Sequence, residues 1–158
     1  MLASAILCLV VAVADGDTLT ARCGTLGQYK QVKVRLSAID APERRQPFGE
    51  RSRQALAELC FGKEAAIRTV ATDRYKRTVA DVECGGKDVG TTMVQSGTAW
   101  VYDAYAAKYP KLYPLQVEAQ TRRVGLWIAQ DPTPPWEWRK ERRAREALES
   151  QRNARHGR

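Results

Sequence analysis

Val32, Val34 and Leu36 alternate with Lys33, Arg35 and Ser37, the period-two pattern of a strand with one buried and one wet face. Residues 6 to 13 and 18 to 23 read as two further strands on either side of Asp15-Gly16, a pair suited to a hairpin turn. Pro42 and Pro47 then keep the chain irregular, and Gly49 to Leu59 changes to helical spacing through Ala55, Leu56 and Leu59 before stopping near Gly62. Residues 65 to 70 and 78 to 82 predict two more strands, joined by the charged turn Thr72-Asp73-Arg74-Tyr75-Lys76-Arg77. Val89 to Ser96 predicts a short helix ending at Gly97, and Ala99 to Tyr102 a brief extended piece. Pro114 to Val124 predicts a helix begun by proline and closed by Gly125. Five strands followed by helices predict an α+β domain that is mainly β barrel. A five-stranded Greek-key OB barrel over residues 6 to 131, with about three packed helices, is the economical choice.

Pro132-Thr133-Pro134-Pro135 marks a break before residues 132 to 158, where Trp136 and Trp138 are expected to anchor the segment on the body. Of the net charge of +8, residues 139 to 158 carry +5, from eight Lys+Arg against three Glu. The body is mildly basic and the tail strongly so. Excess positive charge favours polyanionic partners, although soluble proteins carry it too. The tail reads as a solvated helix fraying to disorder, with a nucleic-acid arm as the sharper alternative. At 158 residues the chain has material for one sizeable core, and a monomer is the default expectation.

Cys8, Cys23, Cys60 and Cys84 lack any Cys-x-x-Cys spacing, and His156 is the only histidine, so an ordinary zinc site is disfavoured. A two-residue Asp15-Gly16 turn sets Cys8 directly across from Cys23, which leaves Cys60 for Cys84; a bulge would shift that register by one, the sequence does not decide among the three connectivities of four cysteines, and four free thiols remain the alternative. Met1 to Val13 is apolar but too short to span a bilayer, and no membrane partner is expected. Ala3-Ser4-Ala5 has the small-x-small form of a cleavage site, so residues 1 to 5 read as the remnant of an export signal and the protein as periplasmic or secreted. The competing reading is an ordinary buried strand.

Ala14-Asp15-Gly16-Asp17-Thr18 and Arg35-Leu36-Ser37-Ala38-Ile39-Asp40-Ala41-Pro42-Glu43 set several carboxylates and an arginine at the ends of predicted strands. Carboxylate oxygens suit a hard divalent cation, a further carboxylate activates water, and a guanidinium grips a phosphate, which together equip metal-assisted phosphodiester chemistry. Taken singly each residue has a plainer role, since Asp15 before Gly16 is ordinary turn chemistry and Asp40 or Glu43 can cap the next segment of chain. Three rival chemistries lack their residues. His156 lies far from these motifs, none of the eight lysines has Asp or Glu two residues earlier, and no phosphate-binding glycine loop is present.

These two stretches together with Asp73-Arg74-Tyr75-Lys76-Arg77 resemble, in order and spacing, the signatures of the staphylococcal-nuclease-like (thermonuclease) family, over residues 11 to 127. The resemblance implies an OB-type barrel and calcium-dependent hydrolysis of DNA and RNA, single-stranded by preference, leaving 3′-phosphate products. It also implies that Asp17, Asp40 and the Ala41 backbone carbonyl bind Ca2+ and that Asp15 contacts metal-bound water. Glu43 would orient or deprotonate the attacking water, and Arg35 and Arg77 would grip the phosphate. Tyr75, Arg74 and either Tyr102 or Tyr105 would contact the nucleotide. Ala41 stands where the family usually has threonine, and Lys76 where glycine is common. If that turn needs a positive φ, lysine costs about 1 kcal/mol. The alternative function is a non-catalytic OB module that binds single-stranded nucleic acid on the same barrel.

Overall fold

The computed structural model describes residues 4–103 and 107–157. Strands β1 (Ile6–Asp15), β2 (Thr18–Cys23) and β3 (Lys30–Leu36) form an antiparallel meander. The two-residue β4 (Ile39–Asp40) follows, then helix α1 (Gly49–Cys60) and a second hairpin of β5 (Glu64–Thr72) and β6 (Thr78–Cys84). β5 pairs antiparallel with β1, and β6 comes back parallel to β3, so the five long strands close on themselves as a mixed barrel of the predicted OB-like kind. Leu19, Ala21, Val34, Leu36, Ile67 and Val82 point inward, as the alternation of their strands requires.

The first hairpin departs from its predicted register near the turn and agrees with it at the far end. Asp15 pairs with Thr18, so the turn residues are Gly16 and Asp17 rather than Asp15 and Gly16. Register shifts at Val11 and Ala14 put two extra residues into β1, and these bulges bring Cys8 back opposite Cys23. Both predicted disulfides are formed, Cys8–Cys23 with a Cα separation of 4.5 Å and Cys60–Cys84 with 5.4 Å. The second ties the end of α1 to the end of β6 and so closes the barrel over its helix.

Beyond β6, a two-residue β7 (Lys87–Asp88) leads into α2 (Val89–Gln95), capped by the Asp88 carboxylate on the Thr91 amide at 2.8 Å. β8 (Trp100–Val101) pairs with β4, setting Asp40 opposite Trp100. Helix α3 is Leu112–Arg122, two residues earlier than the proline at 114 predicted. The first-turn amides need no helical acceptor, so proline is tolerated at the third position as well as the first. Arg123 at φ 54°, ahead of Gly125, supplies its left-handed stop. α4 (Pro135–His156) starts with proline and stays helical to His156 without the predicted fraying, supported by pairs such as Arg142 with Glu146. From Lys140 onward α4 is exposed. Among the described residues no helix is long and apolar enough to cross a membrane.

Candidate active site

Asp15 and Asp17 flank Gly16 at the tip of the first hairpin, and that tip lies against the segment after β4. A Cβ on Gly16 would come within 2.7 Å of both Ala41 Cβ and Ser52 Cβ. The glycine is needed here for close approach, with no positive φ involved. The contact lets the Ala41 amide donate to Asp17 Oδ2 at 2.8 Å, while Thr18 Oγ1 donates to Asp17 Oδ1 at 2.9 Å. Gly49 makes a second close approach, since a Cβ there would overlap the Glu43 carbonyl. The start of α1 thereby presses on the loop that carries Glu43.

Arg35 leaves β3 toward these acids with its side chain 13% exposed. Its Nη1 donates to the carbonyls of Leu36 at 2.7 Å and Ile39 at 2.8 Å, and its Nη2 faces Asp17 Oδ2 at 3.6 Å and Asp40 Oδ1 at 3.5 Å. The parallel β3–β6 pair sets Arg35 beside Val79, which brings the β5–β6 turn over the same cleft. In that turn Asp73 Oδ1 accepts the amides of Tyr75 and Arg77 at 2.9 Å each, and Oδ2 accepts Arg77 Nε at 2.7 Å. Tyr75 is 65% exposed, with the Arg74 and Arg77 guanidinium carbons 5.0 and 5.5 Å from its ring centre. Lys76 does sit at positive φ, 62°, the strained position its substitution for glycine foretold.

Asp15, Asp17, Arg35, Asp40, Glu43, Arg74, Tyr75, Arg77 and Tyr102 all line one cleft of about 840 Å³. Ala41 is buried beside them, and Tyr105 lies outside the described residues. Two residues of the tail expected to be solvated also line the cleft, Arg139 and Arg143. Arg139 Nη2 donates to Asp40 Oδ2 at 2.7 Å, and its Nη1 to Asp40 Oδ1 at 3.1 Å and Glu43 Oε1 at 3.0 Å. The root of α4 is seated by Trp136, whose ring centre is 5.6 Å from Trp100 and 6.1 Å from Tyr102. Gln46 links the same regions, accepting the Glu43 amide at 3.0 Å and donating to the Thr133 carbonyl at 2.6 Å. Trp138, the other expected anchor, is half-buried and carries Arg145 of its own helix over its ring.

Four carboxyl groups meet two guanidiniums here, and burial together with these neighbours moves the acidity of the three aspartates. Burial first, then the neighbouring Asp17 charge, pushes Asp15 up to about 8. Burial pushes Asp40 up to about 6 in spite of its hydrogen bonds from Arg139. Burial also acts upward on Asp17, but Arg35, the proton shared from Asp15, the Ala41 amide and the Thr18 hydroxyl outweigh it and hold Asp17 below the usual carboxylate range. Against the two guanidiniums in contact with them, Arg35 and Arg139, these four acids when all ionised are short of two positive charges. Oxygen-only donors with that deficit match a hard divalent cation, and no thiolate or imidazole competes for the role. Among the described residues no three such side chains converge to ligand distance in this arrangement, in which Arg139 takes both oxygens of Asp40.

The family model described as "Staphylococcal nuclease homologue" matches residues 33–129. A Haemophilus influenzae protein described as an uncharacterized endonuclease is 39% identical over 144 residues, covering 91% of this chain and 79% of that one. A micrococcal nuclease of Shigella flexneri is 38% identical, covering 83% of this chain and 79% of its own length. A staphylococcal-like nuclease of Arabidopsis thaliana is 41% identical over 114 residues, and the chain spans only 35% of that longer protein. The barrel closed by a parallel strand pair, the acidic hairpin tip beside a half-buried arginine and a match over most of the chain agree with one another: the chain belongs to the staphylococcal nuclease family.

Proposed function

We propose that this protein is a phosphodiesterase that hydrolyses DNA and RNA with the help of a calcium ion and leaves 3′-phosphate ends. The observation that carries this reading is the meeting of Asp15, Asp17, Asp40 and Glu43 with Arg35, Arg77 and an exposed Tyr75 in one open cleft. Asp17, Asp40 and the Ala41 carbonyl would hold the ion, with Asp15 reaching it through water. When bound, the ion supplies charge that neutralises the phosphate and acidifies nearby water.

The chain's own groups do the rest. Glu43 accepts the proton of the attacking water at a carboxylate that is 27% exposed and open to the cleft. Arg35 Nη2 and the Arg77 guanidinium donate to the equatorial phosphate oxygens as charge builds on them, each worth roughly 3 to 4 kcal/mol. The water oxygen bonds to phosphorus as the bond to the 5′ oxygen breaks, that oxygen takes up a proton, and the phosphate stays on the 3′ side. Tyr75 offers a face on which an unpaired base stacks, which favours single strands, and Tyr102 lines the same cleft. Glu43→Gln, Arg35→Ala and Arg77→Ala should each slow calcium-dependent cleavage of single-stranded DNA at least a hundredfold, roughly the loss of one donor. Wild-type rates in all three folded variants would reject the assignment.

The occupation of both Asp40 oxygens by Arg139 favours one other reading, a binding module without catalysis. It predicts salt-sensitive retention of single strands, no products, and no response to chelator. The two disulfides support a location in the periplasm or outside the cell, and thiol titration of protein from its native compartment should find no free cysteine. A monomer is proposed, to be checked by sedimentation.

A further inference from the structure

Asp40 is fully buried, yet both its oxygens are held by a side chain that arrives from 99 residues further along the chain. The same guanidinium reaches Glu43. Among the described residues these are Arg139's side-chain bonds, and none goes to a backbone carbonyl. The helix that carries Arg139 is seated independently, through buried Pro135, through Trp136 against Trp100 and Tyr102, and through the Gln46 bond to Thr133. The guanidinium is therefore free to leave without the helix leaving. Its side chain is 27% exposed in an open cleft, and Arg143, one turn further along α4, lines the same cleft. A fork that fills the lone pairs of a carboxylate and adds a positive charge beside it opposes the arrival of a second cation on that carboxylate.

We propose that Arg139 is a resident counter-ion that competes with the divalent cation for Asp40 and Glu43, and that nucleic-acid phosphates draw it away. Cation and nucleic acid then bind with positive coupling through one side chain. The inference rests on the cation-dependent reading of the site and adds to it how the site is kept closed when substrate is absent. Coupling of this kind is reciprocal, so each ligand must raise the other's affinity by the same factor.

Calorimetric titration of the full-length chain with calcium, without nucleic acid, tests it. Arg139→Gln should tighten calcium roughly tenfold, within the usual range of coupling between sites. Arg139→Lys, which keeps the charge and loses the fork, should tighten it about two- to threefold. Arg143→Gln removes the same charge from the same cleft without touching Asp40 and should change calcium affinity less than about twofold. An all-phosphorothioate oligothymidylate, slow to hydrolyse, should tighten calcium more in the wild type than in Arg139→Gln, where only the direct pairing of ion and phosphate remains; equal tightening in the two overturns the coupling through Arg139. Unchanged or weaker calcium binding in folded Arg139→Gln, or equal tightening in Arg143→Gln, overturns the proposal while the cation reading stands. Absence of calcium binding in every chain overturns both. Should Arg139→Gln not fold, the Arg139→Lys result decides in the same direction.

Discussion

Two guanidiniums face the Asp40 carboxylate, and they are held in opposite ways. Arg35 sits on β3, only five residues before Asp40, with Nη1 fixed by the carbonyls of Leu36 and Ile39, so the backbone holds it whatever the charge on the acids. Arg139 comes from a separate helix and is held by the carboxylates alone. The comparison teaches that one charge type serves here both as a fixed part of the frame and as a removable partner. The distinction lies in whether backbone acceptors share the side chain.

Arg35→Ala should break the comparison most severely. It removes two bonds to buried carbonyls and leaves Asp17 and Asp40 short of a partner, for about 3 to 5 kcal/mol of lost stability in urea unfolding. A loss below about 1 kcal/mol would mean that the backbone bonds do not fix Arg35. The next effect is pH dependence in the presence of chelator. Asp15 at about 8 and Asp40 at about 6 are raised above the ordinary value of 3.8, so their contribution is fully present below that value and is lost as pH climbs through 6 and 8. Asp17 is held low and acts in the other direction, its contribution disappearing as pH falls below the ordinary value. Urea unfolding across pH 4 to 9 should therefore show a decline of a few kcal/mol toward alkaline pH, steeper in Arg139→Gln because Asp40 loses a partner. A flat profile contradicts the burial of these acids.

Arg139→Gln should cost only about 1 kcal/mol at neutral pH, since Arg35 remains beside Asp40 and the seat of α4 does not depend on the contact. A loss as large as that of Arg35→Ala would erase the proposed difference between the two arginines. The smallest expected effect is a gain. Lys76→Gly should relieve the positive φ at that turn and raise stability by about 1 kcal/mol, read from the urea midpoint.

The fixed half of the site was legible in the sequence and the removable half was not. Period-two alternation located Arg35, and the acidic turn located Asp15 and Asp17, because local patterning alone decides where such residues fall on a strand or at its end. The Cys8–Cys23 pairing was also legible, although the turn lies one residue later than expected, since the bulges at Val11 and Ala14 cancel the difference. The β4–β8 pair was too short to carry a period, and it is this pair that sets Asp40 against Trp100. Arg139 sits in a basic run whose other members are solvated, so composition does not separate it from them. One signal was present: Arg139 stands three residues after Trp136, and on a helix that spacing puts the arginine on the same face as the anchoring ring.

A calcium-titrated digestion of single-stranded DNA with analysis of the product ends tests the central claim most directly. The account predicts cleavage that rises with calcium, stops with chelator and yields 3′-phosphate with 5′-hydroxyl ends. Cleavage indifferent to chelator, or retention of intact DNA without any product, would contradict it.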